Sequence, residues 1–214
     1  MIRMTKITEP GEIERLSFAI IDSEVPEPRP FEGAQWEVVR RMIHTSADFE
    51  LLSLVVFHQK AVSAGIAAIR GGCTIVTDTE MARAGIGSRR IDRWGCTVEC
   101  HMGDAEVARR AREEGITRAG AAVDLVARRM EGGIFVIGNA PTALLRLLDH
   151  KDEETCRPAL VVGMPVGFVN ARESKEILMG RSKTPYITIR GRKGGSALAA
   201  SVVNALAELA GRRG

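Results

Sequence analysis

Arg40-Arg41-Met42-Ile43-His44-Thr45-Ser46-Ala47-Asp48 gathers more titratable chemistry than any other stretch of the chain. It sets one histidine near the C-terminal end of a helical pattern. Arginines lie three and four residues before that histidine, and a carboxylate lies four residues after it. The chain has four histidines, and no other sits among so many charges. Imidazole titrates near neutrality and both gives and takes a proton, so His44 is the leading acid/base candidate. An adjacent arginine disfavours the imidazolium, whereas a helix C-terminus and Asp48 favour it. The plainer alternative is a solvated helix end, since Lys, Arg and His commonly occupy the last turn.

Ser17 is the second polar candidate. Residues 12–24 read as a helix with apolar positions at Ile13, Leu16, Ile20 and Ile21. On that helix Ser17 shares a face with Ile13, Ile20 and Ile21. It either bonds back to the carbonyl four positions earlier or contacts a ligand.

Other chemistries find less support. The four cysteines are Cys73, Cys96, Cys100 and Cys156. Cys96, Cys100 and His101 raise the question of a metal. Zinc needs about four ligands, and no second Cys/His pair follows at a useful spacing. Buried strand cysteines are the better account, so no metal is expected. No Gly-x-Ser-x-Gly elbow is present. Cys100 and His101 are strand neighbours that point to opposite faces, which argues against a nucleophile pair.

Composition narrows the class. With 214 residues, 45% hydrophobic and 27% charged, the chain reads as an ordinary globular protein of one domain. Its net charge of +3 is mild, and no basic run is interleaved with aromatics, so nucleic acid is not an expected partner. No apolar run reaches the roughly 18 residues of a membrane span. The first ten residues lack an apolar signal core. A cytoplasmic protein with reduced cysteines is expected.

The elements that must position His44 follow a repeating beat. Pro26, Pro28 and Pro30 make a stiff connection after the first helix. Residues 32–45 form the next helix, with an apolar stripe at Trp36, Val39, Met42 and Ile43. Strands are read at residues 52–57, 73–77, 97–100, 134–137, 159–162 and 186–189, separated by helices. The pattern calls for a three-layer α/β/α fold with a mostly parallel sheet. Ligands in such folds gather outside the carboxyl ends of the strands.

Several informative loops follow strands: Asp78, Gly138-Asn139, Gly163 to Phe168, and Gly191 to Ser196. Glycine there lets backbone N–H groups approach an anion, and a following helix N-terminus favours negative charge. The loops suit a ligand with several carboxylates or phosphates, or are plain turns and caps. Gly191-Arg-Lys-Gly-Gly-Ser lacks the spacing and ending of a phosphate loop, which weakens a flavodoxin-like nucleotide binder.

The motifs Ser17-Phe18-Ala19-Ile20-Ile21, Arg41-Met42-Ile43-His44, Asp78-Thr79-Glu80-Met81, Gly138-Asn139-Ala140-Pro141-Thr142-Ala143-Leu144, Gly163-Met164-Pro165-Val166-Gly167-Phe168-Val169, Glu173-Ser174-Lys175 and Gly191-Arg192-Lys193-Gly194-Gly195-Ser196 resemble the precorrin-8X / cobalt-precorrin-8 methylmutase family of cobalamin biosynthesis. They run through nearly the whole chain in the family's order. The resemblance implies a single domain over residues 1–214, a flavodoxin-like sheet and a homodimer. It also implies an isomerase that moves a methyl group from C-11 to C-12 of a corrin precursor, giving hydrogenobyrinate or cobyrinate. It places the catalytic histidine on His44 and substrate contacts on Ser17 and Arg118. Arg41 is a further contact argued from its position beside His44. Asn139, Gly163, Gly194 and Gly195 are the expected loop contacts to the tetrapyrrole. No cofactor is implied, and any cobalt belongs to the substrate. A non-catalytic corrinoid-binding or product-carrying protein is the alternative from another class.

Overall fold

The computed structural model describes residues 9–152 and 156–212. Most of the N-terminal segment read as lacking a signal core, residues 1–8, lies outside them. The chain opens with helices α1 (Pro10–Glu24), α2 (Gly33–Ser46) and the short α3 (Leu51–Leu54). Strand β1 (Val55–Phe57), α4 (Ala61–Arg70), β2 (Thr74–Thr77), the short α5 (Glu80–Gly85) and α6 (Ser88–Ile91), and β3 (Thr97–Cys100) follow. Then come α7 (Ala105–Glu114), α8 (Arg118–Val126), β4 (Ile134–Ile137), α9 (Pro141–Asp152) and β5 (Leu160–Gly163). Helix α10 (Ala171–Arg181), β6 (Tyr186–Ile189) and α11 (Ser196–Gly211) complete the described chain.

The sheet order is β1-β6-β5-β4-β2-β3, with every pair parallel except β1 against β6. Counting only the five parallel strands in chain order, this is 2-1-3-4-5, the flavodoxin order. Strands β4, β5 and β6 are buried along their whole length, as unbroken apolar runs covered on both faces must be.

Alternate residues divide the core into two layers. Ile75, Ile134, Val136, Leu160, Val162 and Ile187 face the layer built from α2, α4 and α11. Val76, Phe135, Ile137 and Val161 face the layer of α8, α9 and α10. Helix α1 packs on the outside of α2, and α7 on the outside of α8.

One expected strand is corrected. Of residues 52–57, the first part is helix α3, because Leu51 and Leu54 lie three apart on one helical face and Leu51 is buried. Only Val55–Phe57 is strand, and it runs antiparallel at the sheet edge. Among the described residues no helix is long and apolar enough to cross a membrane.

Candidate active site

Helix α2 ends where its polar residues begin to cap it. Ala47 takes a left-handed conformation with φ 54° and donates its N–H to the Ile43 carbonyl at 2.7 Å. The Thr45 and Ser46 hydroxyls donate to the carbonyls of Arg41 and Met42. These bonds satisfy carbonyls that a helix end otherwise leaves open. His44 sits half-buried in that capped turn, so its backbone is held firmly.

Its ring is held too. Ser17 Oγ on α1 lies 2.7 Å from His44 Nδ1. Phe18, the next residue, meets the imidazole edge to face at 5.3 Å between ring centroids. On Phe18 in turn lie the guanidinium groups of Arg40 and Arg41, at 4.6 and 5.2 Å from its centroid. Ser17 therefore bonds across to the histidine instead of back to its own helix. The signal for Phe18 was its place beside Ser17, but nothing local showed what its ring would pack against.

The two arginines are committed to carboxylates. Arg40 binds Asp22 at 2.6 Å and Glu37 at 3.3 Å. Arg41, expected to contact substrate, is buried with one terminal nitrogen on Glu14 at 2.9 Å and the other on Glu208 at 2.6 Å. Burial alone would raise the Glu14 carboxyl, but the hydrogen bond and charge of Arg41, with Arg90 and His44 behind it, hold it below its ordinary value. Asp48 is committed as well. It bonds Lys193 Nζ at 2.6 Å, which lowers its carboxyl below the usual range.

Between α1 and the end of α2 lies a cleft of about 480 Å³. Ser17 and His44 supply polar atoms to a wall that is otherwise mainly apolar, with Ile13, Leu16, Ile20 and Phe49 on it. Those four side chains remain 36–48% exposed, an apolar surface suited to a flat, hydrophobic ring system.

The cleft meets the carboxyl edge of the sheet. Helix α2 runs antiparallel to α11: Glu37 pairs with Arg212, Arg41 with Glu208, and Asp48 with Lys193 in the loop after β6. That loop is tied to the one after β5, with Gly195 N–H on the Met164 carbonyl and Gly167 N–H on the Arg192 carbonyl. At Gly194 a Cβ would stand 2.2 Å from the Met164 oxygen, so only glycine allows the two loops to touch. Gly195 has φ 130°, a second position that favours glycine.

The remaining expected residues distribute along the same edge, with one exception. Asn139 is exposed after β4, but its N–H, with those of Gly138 and Ala140, bonds the Asp78 carboxylate at 2.7–2.9 Å. Arg118 is exposed at the start of α8, on the other face of the sheet from His44. The preceding Thr117 bonds Thr142 in the first turn of α9. Gly163 is buried, its Cα packed where a Cβ would meet Leu178 at 2.7 Å, so it serves close packing beneath the edge. His101 bonds Asp104 and Glu99 at 2.7 and 2.9 Å.

Comparison with known proteins adds a common name to this geometry. The CbiC family model, described as precorrin-8X methylmutase, matches residues 12–209. A cobalt-precorrin-8 methylmutase of Priestia megaterium is 43% identical over 94% of this chain and 89% of that protein. A precorrin-8X methylmutase of Pseudomonas aeruginosa is 40% identical over 91% and 93% of the two chains. The crystal structure of a precorrin-8X methyl mutase from Thermus thermophilus superposes with a TM-score of 0.86 at 44% identity, covering 94% of this chain and 96% of that one.

Proposed function

The chain belongs to the precorrin-8X methylmutase family, isomerases of cobalamin biosynthesis, and from that premise we propose that it moves a methyl group from C-11 to C-12 of a corrin precursor with His44 as the proton donor and acceptor. The observation that carries this is the pairing of His44 Nδ1 with Ser17 Oγ at the wall of an apolar cleft. A hydroxyl can accept from Nδ1–H in both the neutral and the protonated imidazole. With Nδ1 so engaged, Nε2 is the nitrogen that gains and loses the proton.

The shift is redox-neutral. The C-11–CH3 bond breaks, the C-12–CH3 bond forms, and the product is an isomer of the substrate. His44 Nε2–H protonates the macrocycle at a ring nitrogen or conjugated carbon, which lowers the barrier to migration. The same nitrogen recovers the proton as the corrin forms. Ile13, Leu16, Ile20 and Phe49 offer the ring an apolar floor. Peripheral acetates and propionates on the His44 side meet the loop of Gly194 and Gly195, and those that extend over the sheet edge to its other face meet Arg118 and the Asn139 side chain. A contact from Arg41 requires Glu14 or Glu208 to yield its nitrogen. Gly163 contributes by packing. The family resemblance further supports a homodimer in the cytoplasm.

His44→Ala and His44→Asn test this reading. Incubated with metal-free and cobalt-containing precorrin-8 while the visible spectrum is followed, both variants should lose about 100- to 10,000-fold in kcat. Tight product binding should be retained. Normal turnover by His44→Ala would sink the proposal. Binding of both substrates by the wild type with no spectral change would instead identify a carrier.

A further inference from the structure

Lys175 is a buried cation that the chemistry above leaves unused. Its side chain in α10 is wholly out of solvent, and no carboxylate among the described residues offsets the cost of placing it there. An apolar side chain of similar length would fill the same space without desolvating a charge. What lysine adds is one donor aimed at one acceptor: Nζ bonds the Lys193 carbonyl at 2.6 Å.

That carbonyl belongs to the glycine-rich loop after β6. From the same residue the side chain leaves in the other direction, and its ammonium bonds Asp48 at 2.6 Å and Glu50 at 2.7 Å. Asp48 directly follows Ala47, the left-handed cap of the turn that carries His44. A continuous set of bonds thus runs from the interior of α10, through the backbone and side chain of Lys193, to the end of the histidine helix.

We propose that Lys175 is a positioning residue for the methyl shift: it anchors the Lys193 backbone, Lys193 anchors Asp48 and Glu50, and together they fix His44 relative to the glycine-rich loop. The inference rests on the role given to His44 above. A catalytic group displaced by about 1 Å can lose on the order of 100-fold in rate while substrate still binds.

Lys175→Met, Lys193→Met and the double variant test the chain of contacts by two independent readouts. In the ligand-free protein, amide hydrogen exchange should quicken at residues 190–195 in Lys175→Met and at residues 44–48 in both single variants. With the substrate that the wild type converts, kcat should fall about 10- to 100-fold, with KM changed by less than about threefold. The double variant should lose no more than the worse single one, because both cut one path. Unchanged exchange at 44–48, unchanged kcat, or losses that multiply would overturn the proposal. If Lys175 were merely structural, Lys175→Met would change stability alone and leave kcat per folded molecule intact. Should Lys175→Met not fold, Lys175→Gln, too short to reach the Lys193 carbonyl, is read by the same criteria, with Lys193→Met, a surface change, reporting the Lys193–Asp48 link. Failure of the wild type to convert either substrate would remove the reaction assigned to His44, whereas the exchange data would still decide the anchoring.

Discussion

A lysine held without a counter-charge must leave a mark on stability. Burial pushes the Lys175 ammonium down from 10.5 to about 8. In the unfolded chain the proton stays on up to the ordinary value, so between about 8 and 10.5 the unfolded state binds more protons than the folded one. Stability from this group therefore rises with pH across that window, and below it the folded protein carries the full cost of the buried charge. Lys175→Met removes the effect. Its stability advantage over the wild type, read from urea unfolding at neutral pH and near the top of the window, should shrink by on the order of 2 kcal/mol. An advantage that stays constant with pH would mean the ammonium is not desolvated. At this scale the sequence is only partly legible. His44 stands out because its charged neighbours are adjacent in the chain. What holds it does not stand out, because Ser17 is 27 residues away and Lys193, the partner of Asp48, is 145 residues away. Asp48, expected to favour the imidazolium, has its carboxylate on Lys193.

Elements were easier to read than their ends. The stripe of Trp36, Val39, Met42 and Ile43 located α2 to within a residue, since periodic burial is written into every turn. The run at 52–57 misled because so short an apolar run suits a helical turn and a strand equally well. Its antiparallel direction depends on β6, which lies 130 residues further on. The loops carry a sharper requirement. Gly194 approaches the Met164 and Pro165 carbonyls so closely that an added Cβ would stand 2.2 and 2.8 Å from them. Both are backbone atoms, and the two loops are held together by the Gly195 bond to Met164 and the Gly167 bond to Arg192, so neither side gives easily. Gly194→Ala should cost about 2–3 kcal/mol in urea unfolding and lower turnover with it. Gly103→Ala, where the added carbon meets open space, should stay within about 0.5 kcal/mol of the wild type. Equal effects of the two would show that the loops move apart freely.

Across the whole molecule, the strand order sets where a ligand is expected, and one carboxylate of the chain already occupies that place. In the 2-1-3-4-5 order the switch point lies between β2 and β4, where sheets of this kind hold their phosphates. Here the place is taken from within. Asp78, at the end of β2, accepts the N–H groups of Gly138, Asn139 and Ala140 at the start of α9. Burial raises its carboxyl against the pull of those three bonds, so the group is costly to keep and well matched to its cradle. The N–H groups of Gly138, Asn139 and Ala140 are thus taken from any external anion, which favours the cleft beside α1 and α2 as the seat for a large ring. The sequence showed Asp78 and Gly138-Asn139 as two strand-end loops. It did not show that one plugs the other, because pairing of β2 with β4 skips over β3. Asp78→Ala should unplug the cradle. Three buried or half-buried donors would lose their acceptor, for a loss of about 2–4 kcal/mol. Inorganic phosphate should then raise the melting temperature of Asp78→Ala by binding the freed amides, and leave that of the wild type unmoved. If phosphate shifted both proteins alike, or neither, the switch point would not be the anion site that Asp78 fills, and Asp78 would no longer favour a ligand beside His44.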